Sequence, residues 1–150
     1  MSNAVPTPRQ TFTLKYSQEN IEKTLMYICE ELPTYKFLNK NDTLNSLRIQ
    51  ITRGIQPQHL DFRFQETEDD KSVFEIEVSK HTGGMTNDDS MLYAKRNLEE
   101  CIDFLIKCLE GYKITEEDKS KAKNNQTLNV VLVIVVIVIF VWWIGSGIWW

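Results

Sequence analysis

The sequence predicts an α+β fold: a two-layer sandwich of an antiparallel sheet of about five strands, in the order β-α-β-β-β-β-α, with two helices on one face and one C-terminal transmembrane helix after it. Three observations carry this. Apolar residues alternate with polar ones in three successive segments: Leu47, Ile49 and Ile51; Leu60, Phe62 and Phe64; Phe74, Ile76 and Val78. Two other segments place apolar residues at steps of three and four, the mark of an amphipathic helix. The residues from Val130 onward carry no charge at all.

The first strand is read at Thr11 to Tyr16, with Phe12, Leu14 and Tyr16 on one side and Thr11, Thr13 and Lys15 on the other. Ser17 suits an N-cap, and Ile21, Leu25, Ile28, Cys29 and Leu32 then recur at helical spacing until Pro33 stops the helix. A short strand at Tyr35 to Leu38 and a polar turn at Asn39 to Thr43 lead into the three alternating strands. Their connections, Arg53 to His59 and Glu66 to Lys71, are rich in Gly, Pro and acids, as hairpin loops are. Asn87, Asp88 or Asp89 can cap the last soluble helix, whose seam runs through Met91, Ala94, Leu98, Cys101, Leu105, Cys108 and Tyr112, with Gly111 near its end.

The chain divides into a disordered N-terminus at 1–10, a soluble α+β domain at 11–112, a polar juxtamembrane linker at 113–129 and a transmembrane helix at 130–150. About 20 residues at 1.5 Å each span the roughly 30 Å hydrocarbon core of a bilayer. Val130, Ile137 and Phe140 supply apolar surface, while Trp142, Trp143, Trp149 and Trp150 are the residue type that seeks the headgroup region. Gly145 and Gly147 flank Ser146, a small-residue patch through which the membrane helix could self-associate weakly. Lys113, Lys119, Lys121 and Lys123 precede the span and no basic residue follows it, so the positive-inside rule puts the soluble body in the cytoplasm. The first ten residues contain no apolar stretch of the kind a secretion signal needs.

All 17 Lys and Arg and all 21 Asp and Glu lie at or before Lys123, so the net charge of -4 belongs to the soluble part. Acids and bases are interspersed there, which excludes the basic face of a nucleic-acid binder. Cys29, Cys101 and Cys108 form no CxxC pair and are expected as reduced thiols on helix seams. His59 and His81 are too few for a metal site, and the loop from His81 to Asp89 lacks the Lys-Ser/Thr of a phosphate loop. No cofactor and no catalytic constellation are expected.

Function is therefore sought on surfaces. Lys15, Arg48, Gln50, Arg63, Glu75 and Glu77 share the polar face of the sheet, either pairing across strands or meeting a protein partner. The leading expectation is a membrane-anchored, noncatalytic adaptor or regulatory domain that works through that face. The alternative is a membrane-tethered module for a lipid or other apolar ligand, and a membrane-associated enzyme comes third. A sheet gripping a long C-terminal helix can leave a pocket lined by Phe62, Phe64, Phe74, Leu98 and Leu105. In this respect the architecture resembles helix-grip lipid-binding folds, with fewer strands and no shared motif.

Overall fold

The computed structural model describes residues 8–53, 56–65, 67, 70–81, 87–123 and 135–138. The elements are β1 (Arg9–Leu14), α1 (Gln18–Glu31), β2 (Tyr35–Asn41), β3 (Ser46–Arg53), β4 (Gln56–Gln65), β5 (Ser72–His81) and α2 (Asn87–Leu109). The five strands form one antiparallel sheet in the order β1-β5-β4-β3-β2. The expected element order and strand number therefore hold. Because β1 and β2 are opposite edges, α1 carries the chain from one side of the sheet to the other.

Local chemistry sets the ends. The Ser17 hydroxyl accepts from the Asn20 backbone N–H at 3.3 Å and starts α1. At the β2–β3 turn Asn45 takes a left-handed φ of 46°, a conformation Asn tolerates better than most residues. Its side chain then donates to the Phe64 carbonyl and is held by Gln18 at 2.6 Å. α2 ends on Gly111 at φ 98°, with Gly111 N–H donating to Cys108 O and Tyr112 N–H to Lys107 O. That pair of bonds is the Schellman arrangement, and it is what makes glycine the fitting residue there.

Several strand boundaries differ from the sequence reading: β1 ends at Leu14 rather than Tyr16, and β2 runs on to Asn41, into the expected turn at Asn39 to Thr43. β4 starts at Gln56 rather than near Leu60, so much of the expected loop from Arg53 to His59 is strand. Pro57 is accommodated because it lies next to the strand's beginning, before pairing with β5 starts at Gln58. β1 begins at Arg9, inside the stretch expected to precede the fold, because Arg9 to Leu14 pair residue by residue with Glu77 to Ser72.

The core lies between the inner face of the sheet and both helices. Ile21, Leu25 and Ile28 of α1 and Ala94, Leu98, Cys101 and Leu105 of α2 are buried in one cluster with the inward strand residues. Among the cysteines only Cys101 is fully buried. Burial lifts the thiol of half-buried Cys29 to about 12, leaving it protonated and unreactive near neutrality. Tyr112 is exposed instead of closing the α2 seam, since Gly111 has already turned the chain away.

The first half of the expected polar linker packs on the domain. Ile114 is buried, and its N–H donates to the Tyr27 hydroxyl at 3.2 Å. A short helix, α3 (described over 116–123), follows Thr115. Lys119 of α3 reaches Glu31 at the end of α1, 2.6 Å away. The stretch expected to cross the membrane lies outside the described residues, including Val130, Phe140, Trp142, Trp143, Trp149 and Trp150. The exception is 135–138, helical and exposed, which contains Ile137. Among the described residues no helix is long and apolar enough to cross a membrane.

Candidate functional site

The strand register decides which charges meet on the polar sheet face. Arg48 of β3 stands opposite Asp61 of β4 and grips its carboxylate with two bonds, Nε at 2.5 Å and Nη2 at 2.9 Å. Arg63 of β4 lies 3.2 Å from Glu77 and 3.7 Å from Glu75, while Arg9 of β1 reaches the same two acids at 3.0 and 4.0 Å. Gln50 donates to the Thr52 hydroxyl at 3.0 Å, and Lys15 is exposed just beyond the end of β1. Four of the six residues assigned to this face thus belong to a ladder of opposite charges across β1, β5, β4 and β3. Arg9, which the sequence reading omitted, completes it. The arginines are roughly half exposed, so each pair adds at most about 1 kcal/mol. Mutual neutralisation is the main use the geometry gives these charges.

The five residues expected to line a sheet–helix pocket are packed together. Phe62, Phe74 and Leu105 have no exposed surface, and Leu98 and Phe64 have 3% and 7%. Phe74 sits in an aromatic stack, with ring centres 5.8 Å from Phe12, 6.0 Å from Phe62 and 5.5 Å from Phe64. A side chain with no accessible surface borders no space large enough for water. These rings are core.

Among the described residues, open space lies at the other side of α2. A cleft of about 220 Å³ is bounded by Leu32, Thr34 and Tyr35 at the α1–β2 junction, Glu100 and Phe104 of α2, and Asp118, Lys121 and Ala122 of α3. Its lining is mixed: Leu32, Tyr35, Phe104 and Ala122 are apolar, and Thr34, Glu100, Asp118 and Lys121 are polar. Neither wall is accidental. Phe104 is half-buried one position before Leu105, so it flanks the core seam rather than entering it. α3 is fixed by a capping box: the Asp118 carboxylate accepts from Thr115 N–H and the Thr115 hydroxyl at 2.9 Å, and Asp118 N–H donates back to the Thr115 hydroxyl at 3.3 Å. The Tyr112 hydroxyl adds a third bond to the same carboxylate at 2.6 Å.

Those bonds hold the Asp118 carboxyl below its ordinary range, first through the Tyr112 hydroxyl and then through the Thr115 backbone N–H. A depressed carboxyl stabilises the docked helix at pH values above its unfolded pKa, and that contribution is lost as pH falls through the folded value. Amide protection over 113–123 is therefore expected to be constant from about pH 7 to about pH 5 and to fall only in more acid solution. Hydrogen exchange followed by mass spectrometry reads this. Asp118→Asn should remove the acid dependence, and a wild-type profile in that variant would remove Asp118 as its cause.

The register places His59 opposite Lys80 and His81 opposite Gln58. Among the described residues no group of three His, Cys, Asp or Glu could hold a metal ion. The loop after His81, which lacks the Lys-Ser/Thr of a phosphate loop, lies at 82–86 outside the described residues.

No family model matches the chain, and no curated protein matches it in sequence. Among solved structures it is similar to a START superfamily protein from Mycobacterium smegmatis, with 11% identity over 69% of this chain and 97% of that one and a TM-score of 0.49. It is also similar to the ZhuI aromatase/cyclase from Streptomyces sp. R1128, with 11% identity over 70% and 93% and a TM-score of 0.40. Norcoclaurine synthase from Thalictrum flavum has 11% identity over 73% and 89%, with a TM-score of 0.38.

Proposed function

We propose that the chain is a noncatalytic, membrane-tethered module that holds part of an amphiphilic ligand in the cleft between α2 and α3. The observation that carries this is the mixed lining of the cleft, with apolar Leu32, Tyr35, Phe104 and Ala122 beside polar Thr34, Glu100 and Lys121. A volume of about 220 Å³ is below the roughly 300 Å³ at which drug-sized pockets begin. It suits one ring or a short length of acyl chain, with the rest of the ligand outside. The tether is the uncharged segment from Val130, whose length and all-round apolarity fit a bilayer span. The ion-pair ladder supports a protein partner less well, because its acids and bases already meet one another.

The full chain, purified in detergent beside its Ala122→Trp variant, tests the reading by mass spectrometry of copurifying molecules. One amphiphile should be enriched over the bulk lipid extract on the wild type and lost from the variant, whose added ring fills the cleft. Circular dichroism checks that the variant is folded. Equal enrichment on both, or none on the wild type, would overturn the cleft as the site. A stoichiometric copurifying protein retained by both would favour the sheet face instead.

A further inference from the structure

The directions of α1, α2 and α3 fix which end of the domain the apolar segment leaves from. Ile114 bonds to Tyr27, Lys119 to Glu31, and Lys121 and Ala122 border Leu32 to Tyr35, so α3 advances alongside α1 in the same sense. α2 runs the opposite way, since Phe104 and Glu100 lie at the Leu32–Tyr35 level and its C-terminal turn leads to Ile114 beside Tyr27. Across the sheet, Tyr35, Ile51, Gln58 and His81 form one row. Buried Asn97 of α2 donates to Gln58 at 2.6 Å and so lies at that row as well. Residues 92 and 93 are therefore about 6–8 Å beyond the row, at 1.5 Å per residue. α3 heads out past the same row.

Leu92 and Tyr93 lie in this position, and they are 68% and 52% exposed, among the most exposed large apolar residues of the domain. Lys95 and Arg96 follow on exposed positions, Lys95 with its amine 3.8 Å from Glu99. Only six residues, 124–129, separate Lys123 from Val130. Even fully extended, the seven steps from Lys123 to Val130 reach about 25 Å. We infer that the α2 N-terminal end of the domain rests on the bilayer, with Leu92 and Tyr93 entering the headgroup region and the β2–β3 turn pointing away. The inference rests on the segment from Val130 being a membrane span. A Leu–Tyr pair is suited to the interface because Tyr presents an apolar ring and a polar tip. Glu99 partly offsets the Lys95 charge, so the contact is mainly apolar and only weakly salt-dependent.

The test uses the full chain in phosphatidylcholine vesicles, with and without phosphatidylglycerol, and lipids carrying a nitroxide on the headgroup. A maleimide fluorophore is placed at Leu92→Cys or, as the distal control, at Leu44→Cys in the β2–β3 turn, where Leu44 is 69% exposed. The native thiols react slowly near neutral pH because burial raises Cys29 and Cys108 and encloses Cys101. Quenching at position 92 is expected to exceed that at position 44 by at least about three-fold, with little change on adding phosphatidylglycerol or salt. Equal, weak quenching at both sites in a chain that resists alkaline carbonate extraction would overturn the orientation and leave the span standing. Release of the chain by carbonate would overturn the span and the orientation together.

Discussion

Phe74→Ala is expected to destabilise the domain by about 3–5 kcal/mol, the range for deleting a fully buried phenyl ring from a packed core. Phe74 is the third residue of β5, with no exposed surface and three aromatic neighbours from β1 and β4. Removing it leaves Phe12, Phe62 and Phe64 facing a void that β5 cannot close, because β5 is paired on both sides. Urea unfolding of the wild type and the variant reads the cost as a fall in midpoint with an unchanged slope. The variant also opens apolar space where the sequence suggested a pocket. Such a cavity stays dry and binds small aromatic molecules, so benzene should restabilise Phe74→Ala and leave the wild type unmoved. A cost below about 1 kcal/mol, or benzene stabilising the wild type, would mean that the native core already contains slack.

The aromatic stack also shows how far the sequence could be read. Alternation alone put Phe62, Phe64 and Phe74 on one face of a sheet, and Ile21, Leu25 and Ile28 on the helix that covers them. Alternation gives the face of a residue and is silent on how closely the layers approach. Four large rings at neighbouring positions could have bordered a cavity or filled it, and they fill it. The strand ends were hidden for a different reason: Pro57 and Gln58 look like loop residues, and only the partner strands reveal why they extend the sheet. On the polar face, the sequence supplied Arg48, Arg63, Glu75 and Glu77 without their partners. Pairing follows from register, which depends on hairpin lengths and on the irregularity between His59 and Leu60.

The cleft is not legible in the sequence because its third wall has the composition of a linker. A signal was present. Thr115-Glu116-Glu117-Asp118 is the Ser/Thr-x-x-Asp/Glu pattern that opens a helix, and Ile114 just before it is an apolar residue with no reason to sit in a solvated linker. The surrounding lysines and acids hide it, since every residue from 116 to 123 except Ala122 is polar or charged. A helix so polar looks unattached until its one buried anchor and its Lys119–Glu31 contact are seen.

Ending the chain after Asn125 and ending it after Tyr112 are expected to give domains of clearly different stability. The longer fragment keeps α3, and without detergent it should unfold cooperatively as a soluble domain. The shorter one loses the burial of Ile114, roughly 1.5–3 kcal/mol. It also loses the Lys119–Glu31 pair, whose partly exposed groups add no more than about 1 kcal/mol. With each kcal/mol worth roughly 4–8 °C in a domain of about 100 residues, the midpoint should fall by about 6–30 °C. Ile114→Ala in the longer fragment separates the two contributions, because it removes the anchor and leaves the ion pair. If that variant matches the shorter fragment, Ile114 is what docks α3. Equal stability of the two fragments would make α3 a passenger, and the cleft wall and the exit direction derived from it would fall together. Aggregation of the longer fragment would instead place the apolar segment from Val130 inside the fold, which the tether cannot survive.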